Sequence, residues 1–372
     1  MNADEAFERA KAEFLAGLAC QQAQDYTQAE RHYLASLAHL PDRPSTLVNL
    51  AATQLQLGRP AQALASADAA LAGEPDSPEA LLHRGSALAQ LGRPAEALTT
   101  FERLALQVPD HPLAWSHRGS LLRELGRTDE ARAAFQQALR CGGDPELHRY
   151  YLAGVGSQDP PPAPPRAYVE RLFDGYAGDF DEHLVGKLGY CAHTGLADRL
   201  CACLGQERAQ SALDLGCGTG LCGPLLRPLT QRLTGLDLSA RMLTRSRERG
   251  VYDDLVQADA VEFLAAAPAG FDLVVAADVL IYIGDPEPLF AALQHAMRRG
   301  LFALTVEVCD DTPAGPGWQL LPSLRYAHVP AQLLTLARQK GFEPVTVEYG
   351  PVRHDQGQPV DGLYVVLQRL PG

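Results

Sequence analysis

Three glycines stand at alternate positions, Gly216, Gly218 and Gly220, directly behind the apolar run SALDL, in which Asp214 is the only charge. A glycine turn between a strand and a helix lets the main chain approach a ligand closely. Leu221 takes the place where a dinucleotide fingerprint has its third glycine, and no G-x-x-x-x-G-K-[ST] supplies a phosphate-binding lysine. The ligand that suits this turn is a nucleoside without phosphates. Asp237, Asp259 and Asp278 close later apolar runs. A carboxylate at Asp237 can accept from both hydroxyls of a ribose, and one at Asp259 can take an exocyclic adenine amine. Met242, one turn into the next helix, offers a base a soft apolar face. One aspartate at a strand end usually caps a helix; four in succession on one sheet edge make a site.

His328, in LRYAHVP, titrates near neutrality and suits a general base, with capping or packing as the alternative. Tyr282 and Asp278 are reserves on the same pocket. Residues 309–329 are punctuated by proline and glycine and carry Trp318 and Tyr326, which reads as a loop for lid and specificity. Arg325 and Arg353 suit an anionic substrate, or else solvent or pairing with acids. The eight cysteines form no C-x-x-C pair, and only Cys201 and Cys203 stand close together, so scattered thiols are expected and no metal.

The elements that must position these residues alternate. Strands are predicted at 211–216, 232–238, 254–258, 271–277 and 301–308, with helices at 220–229, 239–249, 260–267, 286–298 and 330–340. Such alternation implies a parallel sheet with helices on both faces. Two closing strands, 343–349 and 362–369, have only the loop PVRHDQGQPVD between them and should pair antiparallel at one edge. That makes seven strands.

Ahead of this half, GVGSQDPPPAPP holds prolines 160, 161, 162, 164 and 165, which forbid a helix, and 153–165 is expected to be the linker between two domains. Residues 1–152 are rich in helix formers and repeat: QDYTQAE, GRPAQAL, GRPAEAL and GRTDEAR begin at 24, 58, 92 and 126, a constant step of 34. Gly17, Ala51, Gly85 and Gly119 keep the same step, as do Pro41, Pro75 and Pro109. Each unit is predicted to be two antiparallel helices, with small residues where the helices cross closely.

These residues resemble tetratricopeptide repeats, four units over about 10–143, with 144–152 as a capping helix. The resemblance implies a superhelix that binds a protein partner or a second copy of the chain. The peptide-carboxylate clamp of that family needs lysines and asparagines, and this half has one lysine, Lys11.

LDLGCGTG, GLDLS, QADA and FDLVVAADVLIYI together resemble the successive motifs of class I S-adenosylmethionine-dependent methyltransferases, over about 166–370. The resemblance implies a Rossmann-like methyltransferase domain at 166–372, of the bacterial group with tetratricopeptide repeats ahead of it. It implies Gly216, Cys217, Gly218 and Gly220 against the methionine part of the cofactor, Asp237 with Leu238 at the ribose, and Asp259 with Ala260 at the adenine. Asp214 would order the loop and reach the cofactor's amino group, and Asp278 and Met242 complete the set. The segment 168–190 resembles a lid over the cofactor, with Tyr176, Phe180 and His183 as its candidates or, alternatively, as part of a packing helix.

Methyl transfer from a sulfonium needs alignment and sometimes a base. The fourth strand ends ADVLIY, not the Asn/Asp-Pro-Pro-Tyr of enzymes that methylate planar amide or base nitrogens. A small-molecule acceptor is the first expectation; a protein acceptor recruited by the repeats is the second, and an inactive scaffold the third. A net charge of −13 argues against nucleic acid. No apolar stretch approaches the roughly 18–20 residues of a membrane span, and the acidic N-terminal residues form no leader, so a cytoplasmic protein is expected.

Overall fold

A computed structural model describes residues 3–176, 181–187, 189–311, 315–355 and 358–370, and divides into a unit of residues 1–158 and one of 159–372. In the first unit the described helices are α1 (Ala3–Gln22), α2 (Tyr26–His39), α3 (Pro44–Gln56), α4 (Pro60–Gly73), α5 (Pro78–Gln90), α6 (Pro94–Gln107), α7 (Pro112–Glu124), α8 (Thr128–Arg140) and α9 (Pro145–Gly154). Proline opens α3 to α7 and α9, where its fixed φ fits the first turn and its missing N–H costs nothing. The turn inside each repeat needs a left-handed residue. Gly58, Gly92 and Gly126 supply it at φ +69°, +69° and +72°, and Gln24 takes the equivalent position in the first repeat at φ +60°.

Where the two helices of a repeat cross, residue size is matched. A Cβ on Gly17 would stand 2.6 Å from the Tyr33 ring, one on Gly85 2.6 Å from Phe101, and one on Gly119 2.5 Å from Phe135. The second repeat has Ala51 and, at the step of 34 from Tyr33, Ala67, both fully buried. Glycine therefore faces an aromatic ring and alanine faces alanine.

In the second unit, α10 (Arg166–Tyr176) and α11 (Ala192–Leu204) precede β1 (Ala209–Leu215), α12 (Gly223–Leu226), β2 (Thr230–Asp237), α13 (Ala240–Glu248), β3 (Asp254–Gln257), α14 (Ala260–Ala266), β4 (Leu273–Ala276), α15 (Glu287–Ala296) and β5 (Gly300–Val308). Then come β6 (Trp318–Leu320), β7 (Tyr326–His328), α16 (Pro330–Gln339), β8 (Phe342–Asp355) and β9 (Gln358–Arg369). The parallel strands run β3-β2-β1-β4-β5, so strand order reverses between β1 and β4. A crevice at such a reversal, beyond the carboxyl ends of the strands, is where open α/β sheets bind ligands. Side chains alternate between two core layers: Phe302, Leu304 and Val306 of β5 enter one, Leu301 and Ala303 the other.

Among the described residues the sheet has nine strands: the seven expected ones and a short added hairpin. The short β6–β7 hairpin lies within 309–329, and β7 pairs parallel with the last residues of β5. The expected loop PVRHDQGQPVD is largely strand: β8 and β9 pair antiparallel from Phe342↔Arg369 to Asp355↔Gln358, and β9 also pairs antiparallel with β5. Its polar sequence hid a ladder held by backbone pairing. The helix expected at 220–229 shrinks to α12 followed by a 3₁₀ turn, Arg227–Leu229, where Pro224 and Pro228 restrict the backbone. Residues 161 and 162 of the proline-rich segment are hydrogen-bonded into this unit: Gly284 and Asp285 donate to the Pro162 carbonyl at 2.8 and 2.9 Å, and the Tyr326 hydroxyl donates to that of Pro161.

Candidate active site

β1 ends at Leu215, and the turn after it is left-handed at Gly216 (φ +65°), Gly218 (+56°) and Gly220 (+86°). A Cβ on Gly216 would meet Val279 at 2.7 Å, and one on Gly220 would meet the Ser246 hydroxyl at 2.6 Å, so glycine is required there by conformation and by space. The Cys217 N–H donates to the Leu236 carbonyl at 2.9 Å, and the Gly218 N–H donates to Asp237 Oδ2 at 2.9 Å. Asp237 Oδ1 accepts from the Ser239 N–H at 2.8 Å. Asp237 thus faces the glycine turn and bridges it to the start of α13. Burial raises its pKa despite the amide donors.

Asp214 is fully buried and accepts a 2.6 Å hydrogen bond from the Tyr252 hydroxyl. Burial pushes its pKa up to about 7; the Tyr252 hydrogen bond opposes that shift, and the charge of Asp237 adds to it. The Tyr252 ring occupies the space that Cβ atoms on Gly220, Gly223 and Gly235 would need. Tyr252 escaped the sequence reading, although three glycines on separate elements were its signal.

The segment before β1 is fastened over this turn by two carboxylates. Asp174 on α10 accepts from the Ser239 hydroxyl. Asp181 accepts from the Thr219 hydroxyl and pairs with Arg249, whose Nε donates to the Thr219 carbonyl at 2.6 Å. Phe180 and the side chains of Tyr176 and His183, the lid candidates, are outside the described residues.

Other expected residues are placed for different work. Asp259 caps α14, its Oδ1 accepting from the Val261 and Glu262 N–H groups at 2.9 and 3.0 Å, and Ala260 is the first residue of that helix. Leu238 accepts from Gln257 Nε2 at 3.0 Å through its carbonyl. Met242 is fully buried, so the soft face expected for a base is turned into the protein. His328 is buried on β7, and its Nε2 meets the Leu280 carbonyl at 3.1 Å. A nitrogen facing a carbonyl must carry the proton, and burial lowers the pKa, so His328 is held neutral against the turn after β4. Tyr326 is buried beneath Gly284, bound to the Pro161 carbonyl, with Trp318 edge-on at 5.5 Å. Both aromatic side chains expected to sort substrates are therefore packed into the hairpin.

Asp278, Tyr282, Arg325 and Arg353 do come together, beyond the ends of β4 and β5. Asp278 has φ +61°, a strained conformation held by its N–H donating to the Thr305 hydroxyl at 2.8 Å. Arg353 on β8 is 2% exposed, ion-paired to Glu307 and 3.6 Å from Asp278. Pairing with acids is the alternative to binding a substrate, although its Nε and Nη1 have no hydrogen-bond partner among the described residues. Burial raises the pKa of Asp278, with Arg353 the main opposing charge. The Tyr282 ring lies edge-on to Phe173 of α10 at 5.3 Å, and its hydroxyl lies near the Arg325 guanidinium.

A main chain free of side chains beside an inward-facing carboxylate at the reversal of strand order fits an adenosyl cofactor with no phosphates to hold. S-Adenosylmethionine, when bound, supplies an activated methyl group; the glycine turn and Asp237 would hold it, with the fastened segment beside them. Among the described residues no cluster of three or more histidines, cysteines or acids could hold a metal ion.

The family described as methyltransferase domain matches residues 213–300, and that described as tetratricopeptide repeat matches 14–78, 48–106 and 87–145. The malonyl-[acyl-carrier protein] O-methyltransferase of Pseudescherichia vulneris is 32% identical over 162 residues, covering 41% of this chain and 64% of that protein. The ubiquinone biosynthesis O-methyltransferase of Aromatoleum aromaticum is 34% identical over 175 residues, covering 41% of this chain and 75% of that protein. Among solved structures, the 1,6-didemethyltoxoflavin-N1-methyltransferase of Burkholderia thailandensis is similar at 22% identity and a TM-score of 0.44, over 57% of this chain and 93% of that one. With 34% identity over three quarters of the Aromatoleum relative and the two family matches, the chain belongs to the S-adenosylmethionine-dependent methyltransferases, in the group that carries tetratricopeptide repeats ahead of the catalytic domain.

Proposed function

We propose that this protein transfers a methyl group from S-adenosylmethionine to a small-molecule acceptor, and that its repeats dock a protein partner or a second copy of the chain. The reading rests on one observation, the 2.9 Å hydrogen bond from the Gly218 N–H to Asp237 at the end of β2. That bond sets a carboxylate and a bare turn side by side, with lone pairs left for two ribose hydroxyls. The relatives are named for acyl-carrier and ubiquinone-pathway substrates, and both names are O-methyltransferases. The catalytic group here is sought among Asp278, Tyr282 and His328, all at or beyond the ends of β4 and β7.

Calorimetric titration of the full-length protein with S-adenosylmethionine tests the reading. Saturable binding is expected, and Asp237→Ala should weaken it by about 1–3 kcal/mol, roughly fivefold to 150-fold. No binding to the wild-type protein ends the proposal. Incubating cell extract with methyl-labelled cofactor then separates acceptor classes: label in low-molecular-weight products supports this reading, and label confined to protein bands replaces it with recruitment of a polypeptide by the repeats.

A further inference from the structure

Three aspartates stand at the ends of β1, β2 and β4, and they are used differently. Asp237 accepts from two backbone amides and Asp214 from a phenol. The Asp278 side chain is 15% exposed, and among the described residues nothing donates a hydrogen bond to its carboxylate. Charge holds it instead: Arg353 Nη1 stands 3.6 Å from its Oδ1, too far for a hydrogen bond. Asp278 therefore keeps its lone pairs. It also adjoins the cofactor turn, since the next residue, Val279, fills the space that a Cβ on Gly216 would need.

Arg353 is brought there by an irregularity of β8. The register against β9 shifts between Pro351 and Arg353, with Val352 as the extra residue, and both Val352 and Arg353 are buried, although neighbours in a regular strand face opposite ways. Val352 packs in the layer of Leu301 and Ala303. Arg353 is bound through Nη2 by Glu307 of β5, while its Nε and Nη1 have no hydrogen-bond partner among the described residues. A guanidinium buried only to neutralise Glu307 would leave those donors bare at a desolvation cost. The left-handed φ of +61° at Asp278 is a second strain at the same point. Bare donors and a strained backbone persist together where the fold holds a carboxylate in place for use.

We propose that Arg353 is a positioning residue, holding Asp278 as an aimed carboxylate that takes the proton of a hydroxyl acceptor. The proposal rests on the reading of this unit as a small-molecule methyltransferase and deepens it, because it selects Asp278 and an oxygen acceptor. The hydroxyl proton passes to Asp278 and then to solvent, while the oxygen takes the methyl carbon from sulfur, which keeps the electron pair of the broken bond. Burial raises the pKa of Asp278 and so makes it a stronger base than an exposed carboxylate. Arg353 is the main charge opposing that rise, followed by Arg325, and Glu307 adds to it. Tyr190, Tyr282 and Tyr364 also feel this carboxylate; burial raises the pKa of each phenol, so all three stay neutral.

The test reads Asp278 directly. Full-length protein isotope-labelled at the aspartate carboxyl carbons is titrated by NMR with and without S-adenosylhomocysteine, the Asp278 signal being the one absent from Asp278→Asn. On the same variants, labelling of the low-molecular-weight fraction of cell extract by methyl-labelled S-adenosylmethionine is followed against pH. The wild-type labelling rate should rise along the Asp278 titration, and Asp278→Asn should lose most of it. Arg353→Met should move both midpoints up by about 1–3 pH units, and Arg353→Lys should keep both closer to wild type. If Arg353→Met does not fold, as judged by its melting curve, Arg353→Met combined with Glu307→Gln removes one acid with the cation and should show a smaller upward shift. An Asp278 titration unmoved in the Arg353 variants, a labelling midpoint that does not follow it, or undiminished labelling in Asp278→Asn overturns the proposal. Those results with small molecules still labelled leave the methyltransferase standing without this base; no labelling of small molecules by the wild-type protein ends the function reading, and the proposal with it.

Discussion

Asp214 and Asp237 end neighbouring strands, and their partners differ: a phenol for one, backbone amides for the other. Asp214 is the more isolated from water, and its pKa rises from 3.8 to about 7. A carboxyl whose folded pKa exceeds its unfolded one stabilises the protonated protein, and that contribution is lost as pH rises through about 7. The ligand-free protein should therefore lose melting temperature between pH 5 and pH 7.5, and Asp214→Asn should flatten that slope. Tyr252→Phe removes a donor that favours the charged carboxylate and should move the loss to higher pH. Melting curves across this range decide it; a slope unchanged in Asp214→Asn would assign the effect elsewhere.

At the scale of elements, the repeats show packing set by paired volumes. Gly85→Ala places a methyl 2.6 Å from the Phe101 ring, and the overpacking should cost about 1–3 kcal/mol, against a gain of about 1 kcal/mol in helix propensity. The second repeat shows the cure, since its Ala51 occurs with Ala67. Gly85→Ala combined with Phe101→Leu should therefore be less destabilised than the sum of the two single changes, with a coupling of about 1 kcal/mol in denaturant melts. Additive effects would mean that the helices separate instead of clashing. In the second unit the corresponding device is the pair of aspartates that fasten the segment before β1: Asp174 to Ser239, and Asp181 to Thr219 and Arg249. These are short polar links to loops. They follow no period, which is why reading that segment by its aromatics passed over them.

For the whole molecule, the two units divide the work, and hydrogen exchange can map it. S-Adenosylhomocysteine should protect the amides of Cys217, Gly218 and Ser239, together with the segment 166–187 that α10 begins, and leave residues 1–158 unchanged. Protection spread through the repeats would mean that the cofactor also stabilises the first unit. No described helix is long and apolar enough to cross a membrane.

What the chain order determined by itself was everything that depends on near neighbours: the step of 34, the proline starts of the helices, the alternation of strands and helices, and the glycine turn with Asp237 behind it. These follow from backbone conformation and periodic burial, which a short window of sequence contains. The tertiary structure decided which polar side chains remain free to act. Asp259, His328, Arg353 and Tyr326 look alike in sequence to residues that bind ligands, yet each engages a partner of the fold: a helix start, a carbonyl of the turn after β4, the carboxylate of Glu307 and a proline carbonyl. Asp237 keeps lone pairs to spare. A donor or acceptor is spent or spare according to what folds against it, and those partners come from distant parts of the chain.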